Sequence, residues 1–116
     1  MVIRRLTDKE KVPWRLLLLA DPSREIVEKY LKNGSLYVAL IDNKIIGEYV
    51  LINNSKEAVE LKNIAVDKKH QGQGLGKKLV LDAIQKAKEL GANVIEVGTG
   101  NSSLSQLALY KNAALK

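Results

Sequence analysis

Apolar positions along this chain change period several times, and each change marks an element. Val2-Ile3-Arg4-Arg5-Leu6 fits a short first strand. From Val12 to Ala20 leucines are dense and predict a helix, with Pro13 tolerated in its first turn. Asp21-Pro22-Ser23 interrupts that helix, and Ser23 is placed to cap a second one reaching about Lys32, which stops at Asn33-Gly34. Leu36 to Ile41 and Lys44 to Ile52 read as strands around the tight-turn dipeptide Asp42-Asn43. After a turn at Asn53-Asn54-Ser55-Lys56, Ala58 to Val66 makes a third strand, and strands joined this closely predict an antiparallel meander. Leu75, Leu79, Val80, Ala83, Ile84, Ala87 and Leu90 then recur at helical spacing, with lysines and Asp82 opposite them and Gly91 as the stop. Val94 to Val97 is a further strand. Ser102 or Ser103 opens a last helix carrying Leu104, Leu107, Ala108 and Leu115. The order predicts one α/β domain over residues 1–116, with a mixed, mostly antiparallel central sheet flanked by helices.

Composition narrows the chemistry. At 116 residues, 46% hydrophobic and 28% charged, the chain is long enough for one core and lies within the globular range. It has no cysteine, which excludes disulfides, thiolate zinc sites and cysteine nucleophiles. A single histidine, His70, cannot build a multi-histidine metal site, so no metal is expected. It sits in a lysine-rich loop and is expected to be solvated. The longest apolar run, Leu16 to Ala20, is far short of the ~20 residues needed to cross a bilayer. With no leader-like start either, the expectation is a cytoplasmic protein without a membrane partner. The net charge of +6 asks for a polyanionic partner: nucleic acid, anionic lipid or a phosphate-rich cofactor. Aromatics are 4% of the chain and phenylalanine is absent, so a base-stacking platform is missing and nucleic acid is disfavoured.

The informative segment is Val66-Asp67-Lys68-Lys69-His70-Gln71-Gly72-Gln73-Gly74-Leu75-Gly76-Lys77-Lys78. It joins a strand to the strongest helix through three glycines at alternate positions, flanked by four lysines. Glycines let backbone N–H groups approach an anion, and a helix N-terminus adds unpaired donors and partial positive charge. The segment reads as a phosphate-binding loop, the simpler alternative being a tight strand-to-helix turn. A P-loop fails, because Gly76-Lys77 is followed by Lys78 and the required first glycine is Gln71. The dinucleotide fingerprint fails too, because Gly72-Gln73-Gly74 would need glycine at Lys77.

The spacing that fits is Gln71-x-x-Gly74-x-Gly76 after the strand Leu61-Lys62-Asn63-Ile64-Ala65-Val66, with Asn101-Ser102-Ser103 and Tyr110 further on. In these residues and in its order of elements the chain resembles the GNAT superfamily of acyl-CoA-dependent N-acyltransferases. The resemblance runs to about residue 111. It implies an N-acetyltransferase that moves an acetyl group from acetyl-CoA to a primary amine by direct attack, with no covalent enzyme intermediate. Ile64, Ala65 and Val66 would lie beside the pantetheine arm, a backbone N–H there polarising the thioester carbonyl. The amides of Gln71, Gly72, Gln73, Gly74, Leu75, Gly76 and Lys77 would hold the pyrophosphate. Asn101 matches a position that contacts the pantetheine amide, and Tyr110 matches the tyrosine that protonates the departing thiolate. Glu60 resembles the catalytic glutamate of the histone acetyltransferase branch, with Glu48 and Glu96 as lesser candidates for the base. Each has a plainer alternative: Glu60 a solvent-facing strand residue, Asn101 a turn residue, Tyr110 a core aromatic. Trp14, Leu17 and Leu18 are core or, as the family's first helices imply, acceptor-site wall.

The family pattern continues past the tyrosine through a Gly-Phe pair into two more strands. Here Tyr110 is followed by Lys111-Asn112-Ala113-Ala114-Leu115-Lys116. A missing segment of that kind would leave a strand edge to be covered, for which a homodimer is the expected device. It also sustains a second reading, a truncated or catalytically impaired CoA-binding module with a regulatory or assembly role. The acceptor amine is not specified by the residues.

Overall fold

A computed structural model describes residues 1–97 and 113–114. Asp42 and Asn43 both hold positive φ, 51° and 65°. That conformation suits short polar side chains and gives the two-residue turn whose twist matches paired strands. It joins β2 (Gly34–Ile41) to β3 (Lys44–Asn53), and β4 (Ala58–Val66) adds antiparallel to β3. The strand β1 (Val2–Arg5) pairs antiparallel with β2 on the far side. β5 (Val94–Val97) joins β4 in parallel, and β6 (Ala113–Ala114) pairs antiparallel with β5 at Val94 and Ile95. The sheet order is β1-β2-β3-β4-β5-β6, mixed and mostly antiparallel as the sequence predicts. Among the described residues no helix is long and apolar enough to cross a membrane.

Helices cover both faces. On one side α3 (Leu75–Glu89) packs Leu79, Val80 and Ala83 against Tyr49, Leu61 and Ile95. Tyr37 and Tyr49 stack there with ring centroids 4.8 Å apart, and the Tyr49 hydroxyl donates to Asp82 at 2.6 Å. On the other side α1 (Trp14–Ala20) and α2 (Arg24–Leu31) bury Leu17, Val27 and Tyr30 against Leu36 and Val50. Ser23 caps α2 by accepting from the Ile26 amide at 3.3 Å. α3 ends where Gly91 turns to φ 86°, its N–H donating to Lys88 O and that of Ala92 to Ala87 O. These are the paired 5→2 and 6→1 bonds of a glycine-stopped helix.

Two register shifts place the site. Leu40 pairs with Ile45 while Ala39 pairs with Gly47, so Ile46 is the extra residue on β3. Leu51 pairs with Leu61 while Val50 pairs with Asn63, so Lys62 is the extra residue on β4. A bulge puts two successive side chains on one face. Lys62 and Asn63 accordingly both point to the α1–α2 side, where Lys62 Nζ lies 5.7 Å from the Tyr30 ring centre and Asn63 Nδ2 donates to the Tyr30 hydroxyl at 2.8 Å.

Some expectations change. Gly34 does not act as a helix stop but opens β2, where a Cβ would meet Tyr30 O and Val50 Cγ1 at 3.0 Å. Leu90, assigned to the inner face of α3 by its spacing, is 52% exposed because Gly91 ends the helix before that turn reaches the sheet. Leu6 falls outside β1, though its N–H still donates to Leu36 O at 2.9 Å. Ala113 and Ala114 are extended, so a helix running through to Leu115 is not formed there. The rest of the last-helix expectation, residues 102–112, lies outside the described residues.

Leu79 has no exposed surface and its Cδ1 would sit 3.1 Å from a Cβ built at Gly47. Leu79→Ala is expected to destabilise the fold by about 2–5 kcal/mol, read from urea denaturation midpoints at constant slope.

Candidate functional site

At the end of β4 the chain is held tightly before it turns. The Asp67 N–H donates to Ile46 O at 2.7 Å, and Lys68–His70 forms one 3-10 turn. The Asp67 carboxylate accepts from Arg15 Nη2 at 2.7 Å and from the Lys69 amide at 3.2 Å. The Arg15 guanidinium, and then that amide, hold the Asp67 carboxyl below the usual aspartate range. Arg15 belongs to α1, so this pair ties the helix to the loop. Gln71 Nε2 donates to Val66 O at 3.0 Å, which pins the loop back on its own strand.

The three glycines then do different things. Gly72 and Gly74 hold φ of 79° and 76°, a region that side-chain-bearing residues seldom occupy, whereas Gly76 is already helical. A Cβ at any of the three would meet nothing within 4 Å among the described residues, so the loop is open at these positions. Gly74 is the N-cap of α3 and supplies no side-chain acceptor. The first-turn amides at Leu75, Gly76 and Lys77 therefore lack an intrahelical partner. No acidic residue lies in that turn, while Lys77 and Lys78 do. Backbone donors, helix dipole and lysines together make an anion cradle suited to phosphate.

The parallel ladder between β4 and β5 runs from Ala58↔Val94 to Leu61↔Val97, and β4 continues through Val66 toward the loop. In this continuing part Ile64 is buried in the α3-side core, Ala65 is buried and directly opposite Glu48 of β3, and Val66 is half-buried. Glu60 is opposite Glu96 in register. It accepts from Asn54 Nδ2 at 2.9 Å and lies 3.6 Å from Lys62 Nζ, while the same Asn54 amide reaches Glu96 at 3.4 Å. Glu60 and Glu96 are thus neighbouring carboxylates sharing one amide donor, with Lys62 beside the first.

Glu48 is the surprise of this face. It has no exposed surface, and neither carboxyl oxygen has a hydrogen-bond partner among the described residues. Burial alone pushes its carboxyl well above the ordinary glutamate value. Asn63 is equally buried, donating to Leu17 O at 3.1 Å and to the Tyr30 hydroxyl, with its own Oδ1 unpaired among the described residues. Burial pushes the Tyr30 phenol up to about 12. Asn63 and Tyr30 escape a sequence reading because asparagine and tyrosine are ordinary at strand and helix positions. Glu48 carries a signal, a lone carboxylate in the apolar run Ile45-Ile46-Gly47-Glu48-Tyr49-Val50-Leu51-Ile52. His70 is half-buried rather than solvated, with Nδ1 shielded and unpaired among the described residues.

The family model for the acetyltransferase (GNAT) family matches residues 3–114. The chain belongs to the GNAT family. It is 52% identical over 101 residues to an uncharacterized N-acetyltransferase of Bacillus subtilis, covering 87% of this chain and 65% of that protein. A GNAT family acetyltransferase from Elizabethkingia anophelis, solved with acetyl-CoA bound, superposes with a TM-score of 0.87 at 49% identity, covering 94% of this chain and 71% of the other. A Bacillus subtilis acetyltransferase solved in complex with CoA superposes with a TM-score of 0.82 at 50% identity, covering 93% and 71%. The chain spans between about half and 65% of the length of three curated relatives that it matches.

Within this GNAT domain β4 and its loop bring Ile64, Ala65, Val66 and Gln71 through Lys77 into one continuous run from strand to helix. Glu60 lies lower on the same strand, before the bulge. Asn101 and Tyr110 lie outside the described residues. Trp14 packs at the rim of the α1–α2 core with the Arg24 guanidinium 4.2 Å from its ring centre, and Leu17 is fully buried.

The raised Glu48 carboxyl has a consequence for stability. A folded-state value above the unfolded one means the folded chain keeps a proton that the unfolded chain loses. The stability is fully present below the ordinary value of 4.5 and drains away as pH rises, by at most about 1.4 kcal/mol per pH unit until the folded-state value is passed. Unfolding followed from pH 5 to 8 should show Glu48→Gln gaining on the parent chain as pH increases.

Proposed function

We propose that this GNAT chain is an acetyl-CoA-dependent N-acetyltransferase acting on a primary amine. The observation that carries the reading is the loop from Gln71 to Lys77, with two glycines in left-handed conformation opening a fifteen-residue helix whose first turn bears only basic charge. The similarity to structures solved with acetyl-CoA and with CoA supports the same ligand here.

In this reading the pyrophosphate lies on the Gln71–Lys77 amides and the pantetheine arm runs along Ile64, Ala65 and Val66, with Asn101 contacting its amide. An N–H of that strand segment polarises the thioester carbonyl. The acceptor nitrogen gives up a proton to Glu60, or to water, and forms its bond to the acetyl carbon. The carbon–sulfur bond breaks, and the thiolate takes a proton from Tyr110. The buried Ile64 side chain and the pairing of this segment with β3 fix the strand.

A comparison of two glycines separates a phosphate loop from a plain turn. Gly74→Ala and Gly91→Ala both force a side chain into left-handed backbone, at φ 76° and 86°, and each should cost about 1–2 kcal/mol of stability. Only Gly74→Ala should weaken acetyl-CoA binding in calorimetry, by about tenfold or more; equal affinities would reduce the loop to a turn. Thiol release on a primary-amine panel then tests transfer. Tyr110→Phe is expected to lower kcat with little change in acetyl-CoA affinity. Glu60→Gln is expected to lower the rate most at low pH, and an unchanged pH profile removes Glu60 from the mechanism.

A further inference from the structure

Glu48, a lesser candidate for the base by sequence, has no role in the transfer as proposed above. Its two carboxyl oxygens and Asn63 Oδ1 are buried acceptors without a donor among the described residues. Glu48 stands opposite Ala65, and Val50 stands opposite Asn63, so Glu48 and Asn63 are diagonal neighbours on the face covered by α1 and α2. The Tyr30 hydroxyl on the same face is already engaged by Asn63 Nδ2.

The charged groups around this cluster are committed elsewhere. Arg4 of β1 lies two strands from Glu48 across Val38, and its guanidinium is held by Glu10 at 2.7 and 2.8 Å. Lys62 of β4 lies beside Glu60 and over the Tyr30 ring. α1 sends Arg15 to Asp67, and Asp21 at the α1–α2 joint brings a further acceptor toward Tyr30. What the cluster lacks, among the described residues, is a compact group with several N–H donors. A primary ammonium carries three.

Ala65, the direct partner of Glu48, is among the residues placed beside the cofactor. We propose that Glu48, with Asn63 Oδ1, is the docking point for the acceptor's primary ammonium. The assignment rests on the transferase reading and adds to it the site that selects a cationic, unhindered amine. Asn63 also donates to Leu17 O, so the residue that receives the ammonium is tied to α1. Docking replaces the proton on the buried Glu48 carboxyl, released to solvent, with a carboxylate–ammonium pair. The nitrogen then loses its proton to water before attack, because Glu60, opposite Ile52, lies four residues along β3 from Glu48.

The test measures KM for amines against pH, with acetyl-CoA affinity measured separately by calorimetry. For the parent chain, KM should fall as pH rises with one acid-side break shared by glycinamide and n-butylamine, and rise again only where each amine loses its own charge. Glu48→Gln should raise KM for both by about tenfold or more and remove that break, with acetyl-CoA affinity unchanged. A KM that keeps falling up to each amine's own basicity, as binding of the neutral amine requires, or a Glu48→Gln chain with unaltered amine KM, overturns the docking site and leaves the transferase reading intact. A parent chain that binds acetyl-CoA but releases no thiol with any primary amine overturns the transferase reading, and the docking site with it. If Glu48→Gln does not fold, the two-amine comparison on the parent chain decides alone.

Discussion

The pairing of β4 with β3, including the extra residue at Lys62, is the constraint on which the remaining structure depends. β4 is hydrogen-bonded to β3 along one edge and to β5 along part of the other, and it is covered by helices on both faces. A strand so enclosed cannot slip by one residue without turning its apolar set outward. The bulge uses that rigidity. Before it, Val59 and Leu61 face α3; after it, Ile64 does, and the inserted residue sends Lys62 and Asn63 together to the opposite face. One skipped register position thus keeps the core packed and builds a polar cluster under α1.

The same strand delivers the loop. Because β4 is fixed up to Val66, the Asp67–Ile46 and Gln71–Val66 bonds start the turn from a fixed point, and Gly74 can hand the chain to α3 with its first amides pointing outward. Leu79 and Val80 anchor that helix on the sheet, so the donors at its N-terminus are oriented before any ligand arrives. Preorganised donors lose little freedom on binding, which is what an anion site of a few backbone amides and lysines requires.

Electrostatics divides the molecule in two. On the loop side, positive charge is exposed and, among the described residues, opposed only by Asp67, which Arg15 already neutralises. On the α1–α2 side, acceptor oxygens accumulate out of water at Glu48, Asn63 and Tyr30. Burying a lone carboxylate is unfavourable, so Glu48 is protonated or awaits a cation. A structure with basic donors at the cofactor end and unmet acceptors next to the same strand is polarised along β4, in the sense expected when an anionic acyl carrier meets a cationic acceptor.

Most of the architecture was legible along the chain. The Asp42-Asn43 turn, the limits of β4 and β5, the Ser23 cap and the Gly91 stop all follow from local chemistry, and so does the glycine-rich passage from β4 into α3. These signals are local because backbone propensity, left-handed glycines and helix caps act within a few residues. Gly34 and Leu90 were misjudged for the complementary reason: a close approach to Tyr30 O and the reach of a helix over a sheet depend on partners distant in sequence. The sequence by itself determined the order of elements through β5, the glycine-rich passage from β4 into α3 and the resemblance to an acetyltransferase family. Only the tertiary structure decided that Glu60 shares its donor with Glu96 while Glu48 stands buried and unpaired among the described residues. Burial and pairing are set by β-register and helix cover, and a one-residue bulge moves them without altering local composition.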